Sequence, residues 1–147
     1  MLKLPKKVEY AIFALQYIAE NEDKLVSVKE ISSSLHLSFE FLSKVMQVLN
    51  RKGLIQSQQG IKGGYKLTIE AKKLNIMDVI RAFDEKISLV DCTSDSENDC
   101  DKLSDCDLRN PMLILQDKIE NIFYETSISD LSNKNNKIIY TELKLEY

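Results

Sequence analysis

The sequence predicts a mainly α-helical chain carrying one small β element, and three observations predict it. Two Ser-led capping sites, at Ser27 and Ser38, each precede a run with helical apolar spacing. The glycine-rich stretch Gln59-Gly60-Ile61-Lys62-Gly63-Gly64 separates two short strand-like runs. From Asn110 to about Thr126 apolar residues recur at helical spacing, with no strand-like alternation.

In order along the chain, Val8, Ala11, Ile12, Leu15 and Ala19 mark an amphipathic first helix. Ser27-Val-Lys-Glu30 fits a capping box, in which the Ser hydroxyl takes the amide three residues on and the Glu returns to the cap. Leu35-His36-Leu37 breaks that helix and Ser38 caps the next. There Leu42, Val45, Met46 and Leu49 form one face for a core, while Glu40, Ser43, Lys44, Gln47, Asn50 and Arg51 occupy the other. Gly53 stands where a helix ends in a left-handed residue. Leu54 to Gln58 and Tyr65 to Ile69 read as strands, the second turning Tyr65, Leu67 and Ile69 inward.

Helix, turn, helix and two-stranded wing make a winged helix-turn-helix unit over residues 1–73, an arrangement that reads duplex DNA. The candidate contacts are Ser38, Glu40, Ser43, Lys44, Gln47 and Arg51 on the second helix, with Gln59 and Lys62 in the wing. The competing reading is a structural helical hairpin followed by an ordinary β-hairpin. Capping, segregation of faces and wing all agree on the first.

Beyond the wing, residues 74–131 form a second region. Asn75-Ile-Met-Asp78 resembles another capping arrangement, with Ile76, Val79, Ile80 and Phe83 as its apolar face and an end near Asp84. Asp91 to Arg109 has no periodicity and is rich in Asp and Ser, so it is a loop. Asn110 then caps a long helix with Pro111 at its first position, where a missing amide costs nothing. Its stripe of Met112, Leu115, Ile119, Ile122 and Phe123 needs a cover. Packing within the same domain would serve, but a two-fold homodimer helix is favoured because dimers match palindromic operators in double-stranded DNA. In the tail, 132–147, a short strand and disorder both fit.

The formal net charge of -3 over 147 residues hides a division. Residues 1–73 hold 12 Lys/Arg against 7 Asp/Glu, a net of +5, whereas residues 74–147 hold 8 against 16, a net of −8. A basic half joined to an acidic half suits a DNA-facing module with an attached second function. No apolar run approaches the roughly 18 residues of a membrane span. Lys3, Lys6 and Lys7 before Tyr10 to Ala19 look like the start of an export signal, but Glu9 and Gln16 interrupt it and no small-x-small cleavage site follows. The expected location is cytoplasmic. No nucleophile–base set and no nucleotide-binding loop is visible, so an enzyme is not expected.

Cys92, Cys100 and Cys106, the chain's three cysteines, all lie in the loop, with gaps of seven and five residues. An odd count without an export signal argues against a disulfide framework, and the absence of a close Cys pair argues against structural zinc. Three thiolates on a tethered loop can wrap a larger object such as an iron–sulfur cluster, and free or redox-reactive cysteines are the alternative. The loop acids Asp91, Asp95, Glu97, Asp99, Asp101, Asp105 and Asp107 would raise thiol pKa values unless a metal offsets them. They lack the glycine and terminal Glu of an EF-hand calcium loop.

With these residues in place, the chain resembles the Rrf-type transcription regulators, the family of IscR and NsrR, from Lys3 to Leu131. The resemblance rests on Tyr10-Ala11, Ile31 through Leu37-Ser38, Leu49 to Leu54, and Gly60 to Leu67 with its Gly63-Gly64-Tyr65. It continues through Asp78-Val-Ile, the three cysteines and Ile128-Ser-Asp-Leu131. It implies a homodimer whose long helices cross, each cysteine loop lying near the partner's reading domain. It also implies a two-iron or four-iron cluster held by Cys92, Cys100, Cys106 and one non-cysteine group. Some members supply a His three residues after the last Cys, where this chain has Arg109. NsrR-like members use a first-helix carboxylate two residues before an Ala, which makes Glu9, from the other subunit, the implied fourth ligand; a solvated surface acid is its alternative. The only histidine, His36, lies in the turn between the reading helices and is expected to be structural. The first cysteine gap is longer than is common in cluster-binding members, and Gln59 stands where their wing carries Arg. The implied function is a regulator, of repressor type, sensing nitric oxide, redox or iron–sulfur status. The alternative within the family is a regulator without a cluster, controlled by a partner protein or small ligand, as in sulfur metabolism.

Overall fold

Local capping sets the helix boundaries of the computed structural model, which describes residues 3–90 and 106–132. Helix α1 spans Lys6–Ala19, α2 Val28–Leu35 and α3 Phe39–Arg51. Strands β1 (Ile55–Gln58) and β2 (Gly64–Leu67) follow, then a 3₁₀ turn at Ala71–Lys73, α4 (Ile76–Ala82), α5 (Arg109–Glu125) and α6 (Ile128–Ser132). The Ser27 hydroxyl accepts the Glu30 amide at 3.1 Å, and that of Ser38 accepts the Phe41 amide at 3.4 Å. The Glu30 carboxylate takes the Lys24 ammonium at 2.5 Å and the Tyr17 hydroxyl at 3.3 Å. The Lys24 hydrogen bond is the main reason its carboxyl sits below the ordinary 4.5. His36 closes α2 with a left-handed backbone, φ 54°, so its place in the fold is a backbone role.

The wing is an antiparallel pair with Ile55 opposite Leu67 and Gln58 opposite Gly64. Val26 forms a separate antiparallel bridge to β2: it exchanges hydrogen bonds with Tyr65 at 3.1 and 2.8 Å, fastening β2 to the entry of α2. A Cβ on Gly64 would lie 2.9 Å from the Val26 backbone, so the close approach needs glycine there. The second strand begins and ends earlier than the sequence suggests. The Thr68 hydroxyl turns back onto the carbonyls of Gly53 and Leu54 at 2.6 and 3.0 Å, which takes the chain out of the ladder. Ile69 is therefore exposed rather than inward.

One core joins the N-terminal helices to the chain's later elements. Leu15 and Ile18 of α1, Leu42, Met46 and Leu49 of α3, Ile80 of α4 and Ile128 of α6 are all fully buried. Ile76 and Ile128 donate to Thr126 and Leu74 at 3.0 and 2.8 Å, stitching the start of α4 to that of α6. Asn75 and Asp78 form the complete capping box expected of α4, with bonds of 2.8 and 3.3 Å.

Helix α5 departs from expectation at its start. Leu108 precedes it and Arg109 opens it, so Asn110 is not the cap and Pro111 falls two residues deeper, at the third helical position. All first-turn amides lack helical partners, which is why proline is tolerated there too. Gln116 is the only buried residue of α5. Its amide accepts from the Leu89 backbone at 3.1 Å and donates to the Ile87 carbonyl and, at 2.8 Å, to Glu120. Phe123 turns toward the core instead of joining the outer stripe. Leu108, Leu115 and Ile122, seven residues apart, remain 60%, 45% and 60% exposed.

Replacing Gly64 with alanine is expected to destabilise the fold by about 1–3 kcal/mol, because the new methyl meets backbone that cannot swing aside. Chemical denaturation of Gly64→Ala beside Gly53→Ala checks this; Gly53 has open space and only a positive φ to strain, so its variant should lose less.

Candidate nucleic-acid interface

Burial of Leu42, Val45, Met46 and Leu49 turns the opposite face of α3 to solvent. Glu40, Lys44, Gln47 and Arg51 are exposed along it, Ser38 is exposed at its start and Ser43 is half-buried. Lys44 and Arg51 have no ion-pair partner among the described residues, so their charges face outward uncompensated. The Ser43 hydroxyl donates to the Phe39 carbonyl at 2.7 Å, which leaves it an acceptor toward solvent. In the wing, Gln59 and Lys62 are exposed on either side of Ile61. Gly63 closes the tip by donating its amide to the Gly60 carbonyl at 2.9 Å. A Cβ at Gly63 would meet the Gln58 carbonyl at 2.6 Å.

Asn50 does something that its place on the polar face does not announce. Its side-chain carbonyl accepts the Ser57 amide at 3.1 Å, bracing the wing against the end of α3. Helix and wing thus present one surface. The Tyr10 and Phe41 rings meet edge to face at 4.8 Å, tying the start of α3 to α1. Exposed Phe39 and Ile61 bring apolar side chains to the same two elements; only an apolar residue on a polar stretch signals them in the sequence.

Of the implied cluster ligands, Cys92 and Cys100 lie outside the described residues. Cys106 is a free, half-buried thiol just before α5, and its carbonyl accepts from the Arg109 amide at 3.2 Å. Glu9 sits half-buried on α1 with its carboxylate on the Lys6 ammonium at 2.6 Å. Among the described residues no three His, Cys, Asp or Glu side chains gather as a metal site. Beside Cys106, the Arg109 Nε is buried and has no hydrogen-bond partner among them. A free thiol, a carboxylate paired with an exposed lysine and an unspent donor fit an iron–sulfur group chemically.

A capped helix presenting free cations and polar side chains, braced to a glycine-tipped wing, defines a winged helix-turn-helix nucleic-acid-binding protein. The chain belongs to the Rrf2 family, described as iron-dependent transcriptional regulators, whose profile matches residues 4–134. It is 31% identical over 100 residues to the HTH-type transcriptional regulator NsrR of Shouchella clausii, covering 67% of each chain. It is 34% identical over 100 residues to protein rrf2 of Nitratidesulfovibrio vulgaris, covering 67% of this chain and 65% of that one. Its fold is similar to that of CymR (YrzC), the global cysteine regulator of B. subtilis, at a TM-score of 0.75 and 26% identity, over 90% of this chain and 97% of that one. T. potens IscR has the same fold at a TM-score of 0.67 and 24% identity, over 88% and 85%. The named relatives are regulators of transcription, not enzymes. Among the described residues no helix is long and apolar enough to cross a membrane.

Proposed function

We propose that this chain is a transcriptional repressor that seats α3 of each subunit of a homodimer in the major groove of a palindromic operator, and that the iron–sulfur occupancy of its cysteine loop governs that binding. The observation that carries the DNA reading is the outward face of α3, with two uncompensated cations and a braced wing. In this reading Lys44, Arg51 and Lys62 hold phosphates, while Glu40, Ser43 and Gln47 meet base edges. Glu40 can only accept, and Ser43 has spent its proton on Phe39, so both suit the amino groups of cytosine or adenine. Ser38 and Gln59 lie where backbone contacts flank the groove.

Dimerisation is supported by α5. Leu108, Met112, Leu115, Ile119 and Ile122 alternate spacings of four and three, the seam of a coiled coil, and the first, third and last are largely uncovered. A two-fold pair of such helices sets two reading helices about 34–36 Å apart, one turn of duplex.

For the loop, Cys92, Cys100 and Cys106 supply soft thiolates and Glu9 a harder, more exchangeable carboxylate, offered from the other subunit. When bound, an iron–sulfur cluster supplies a centre that nitric oxide, oxidation or iron loss destroys. The chain's own part is to hold the loop's stems. Gln116 clamps Ile87 and Leu89 against α5, and α5 packs on α4, α4 on α1 and α1 on α3. A change in how the stems sit therefore has a packed route to the reading helix. The family's iron-dependent description supports this reading. A second reading, a regulator without a cluster that answers to a partner protein or small ligand in sulfur metabolism, is supported by the likeness to CymR.

Anaerobically purified protein should be brown, with iron and sulfide, and Cys92→Ala should be colourless; Glu9→Ala should release iron to a chelator faster with the fold intact. A colourless wild type with unchanged operator affinity sinks the cluster reading and leaves the second. Log affinity for operator duplex should fall linearly with log salt; Lys44→Ala should lower that slope by about 1, whereas Gln47→Ala should cost about 1–3 kcal/mol and relax base preference. Leu115→Glu should sediment as a monomer and lose cooperative occupancy of two half-sites.

A further inference from the structure

A cavity of about 250 Å³ lies between the first turn of α1, the flank of α3 and the end of α4. Its floor is apolar, made by Phe41, Val45, Val48 and Phe83, with Val45 and Phe83 only 2% and 7% exposed. Its rim is cationic, carrying Lys7, Lys44 and Arg51. The one acid in the lining, Asp84, is already paired with Lys52 at 3.0 Å. Lys7 is itself engaged by the Phe83 carbonyl at 3.3 Å and by Glu85 at 2.7 Å. Lys44 and Arg51 are left as uncompensated charges over an apolar floor.

We propose that this groove binds a small organic monocarboxylate with an apolar body, aromatic or branched, and that its occupancy weakens binding to DNA. The body would cover Phe41, Val48 and Phe83, and the carboxylate would lie between Lys44 and Arg51. The cavity admits roughly ten heavy atoms, a little below the range of drug-sized pockets. A bare phosphate would gain nothing from the floor, and a neutral hydrophobe nothing from the rim. The effect on DNA rests on the duplex reading above: Lys44 and Arg51 cannot hold a carboxylate and a phosphate together, and linkage makes the antagonism mutual.

Benzoate titrated into the full-length protein without DNA, followed by NMR or calorimetry, tests the site, with benzyl alcohol as its uncharged match. The expected result is saturable binding of one benzoate per chain with a Kd of about 1 mM or tighter. Benzyl alcohol should bind at least about tenfold more weakly. The same loss should appear in a Lys44→Gln/Arg51→Gln variant, whose exposed side chains take part in no hydrogen bond or ion pair among the described residues, and in Val48→Asp. Non-saturating shifts, equal affinity for the alcohol, or undiminished binding by the double variant overturn the proposal. In a separate arm, benzoate but not chloride at equal ionic strength should weaken duplex binding; unchanged duplex affinity at saturating benzoate overturns the antagonism. Protein that binds benzoate but no duplex at any salt removes the DNA reading and leaves the site standing, so the two failures are distinguishable.

Discussion

The complete burial of one face of α3 decides what its other face can do. Leu42, Val45, Met46 and Leu49 are at most 2% exposed, and each such side chain contributes roughly 1.5–3 kcal/mol when removed from water. Turning α3 about its axis would forfeit several of these terms together, so its rotation is not adjustable. Glu40, Lys44, Gln47 and Arg51 inherit their direction from that constraint. The wing inherits its position in turn: Asn50 fixes β1 to the end of α3, and the Val26–Tyr65 pair fixes β2 to the start of α2. The candidate interface is held in place by the core and by two polar ties, and its exposed side chains take their direction from them.

Helix α5 obeys the opposite rule. It buries only Gln116, whose polar network holds the backbone that leads toward the cysteine loop. Its other attachments include Phe123 against the core, the Arg81 guanidinium 5.0 Å over the Tyr124 ring and, at its C-cap, the Thr126 carbonyl that accepts from Ile76 at 3.0 Å. The apolar seam of this 17-residue helix is largely uncovered by the described residues, with Leu108, Leu115 and Ile122 exposed. The two helices thus contrast: α3 is fixed by its own chain's core, whereas α5 leaves most of its apolar seam uncovered by the described residues.

Features set by a few neighbouring residues were legible in the sequence. The caps at Ser27, Ser38 and Asn75, the core face of α3 and the glycine-tipped wing follow from local hydrogen bonding and period, and the structure has them all. What escaped was decided by partners distant in the chain. Thr68 ends β2 by bonding back across fourteen residues or more, which no strand pattern reveals. Asn50 looks like any polar residue on a reading helix until Ser57 arrives beside it, and Gln116 looks solvent-facing until Ile87 and Leu89 cover it. Arg109 displaced Asn110 from the start of α5 because proline fits anywhere in an unpaired first turn, so it marks the turn but not the residue. Glu9 was singled out only through a family resemblance; its own neighbours announce a surface ion pair with Lys6.

Charge completes the division between core and surface. The exposed ion pairs Lys24–Glu30, Lys52–Asp84, Lys7–Glu85 and the Glu70 pairs with Lys72 and Lys73 add little to stability, since solvent screens them. Those two lysines nevertheless hold the Glu70 carboxyl down to about 2, so it stays charged and matched across the working pH range. The effect of these pairs is subtractive: they cancel acids of the N-terminal unit and its border, and they spend lysines that are not on α3's outer face. Lys44, Arg51 and Lys62 take part in no such pair among the described residues. Lys3, Lys29 and Lys66 are likewise outside these pairs, so the positive field of the N-terminal unit sums over several elements, to which α3 and the wing tip contribute three cations. That is how a chain whose total charge is negative can still present a positive face to a polyanion, and why its grip on one should depend on salt through a small number of side chains.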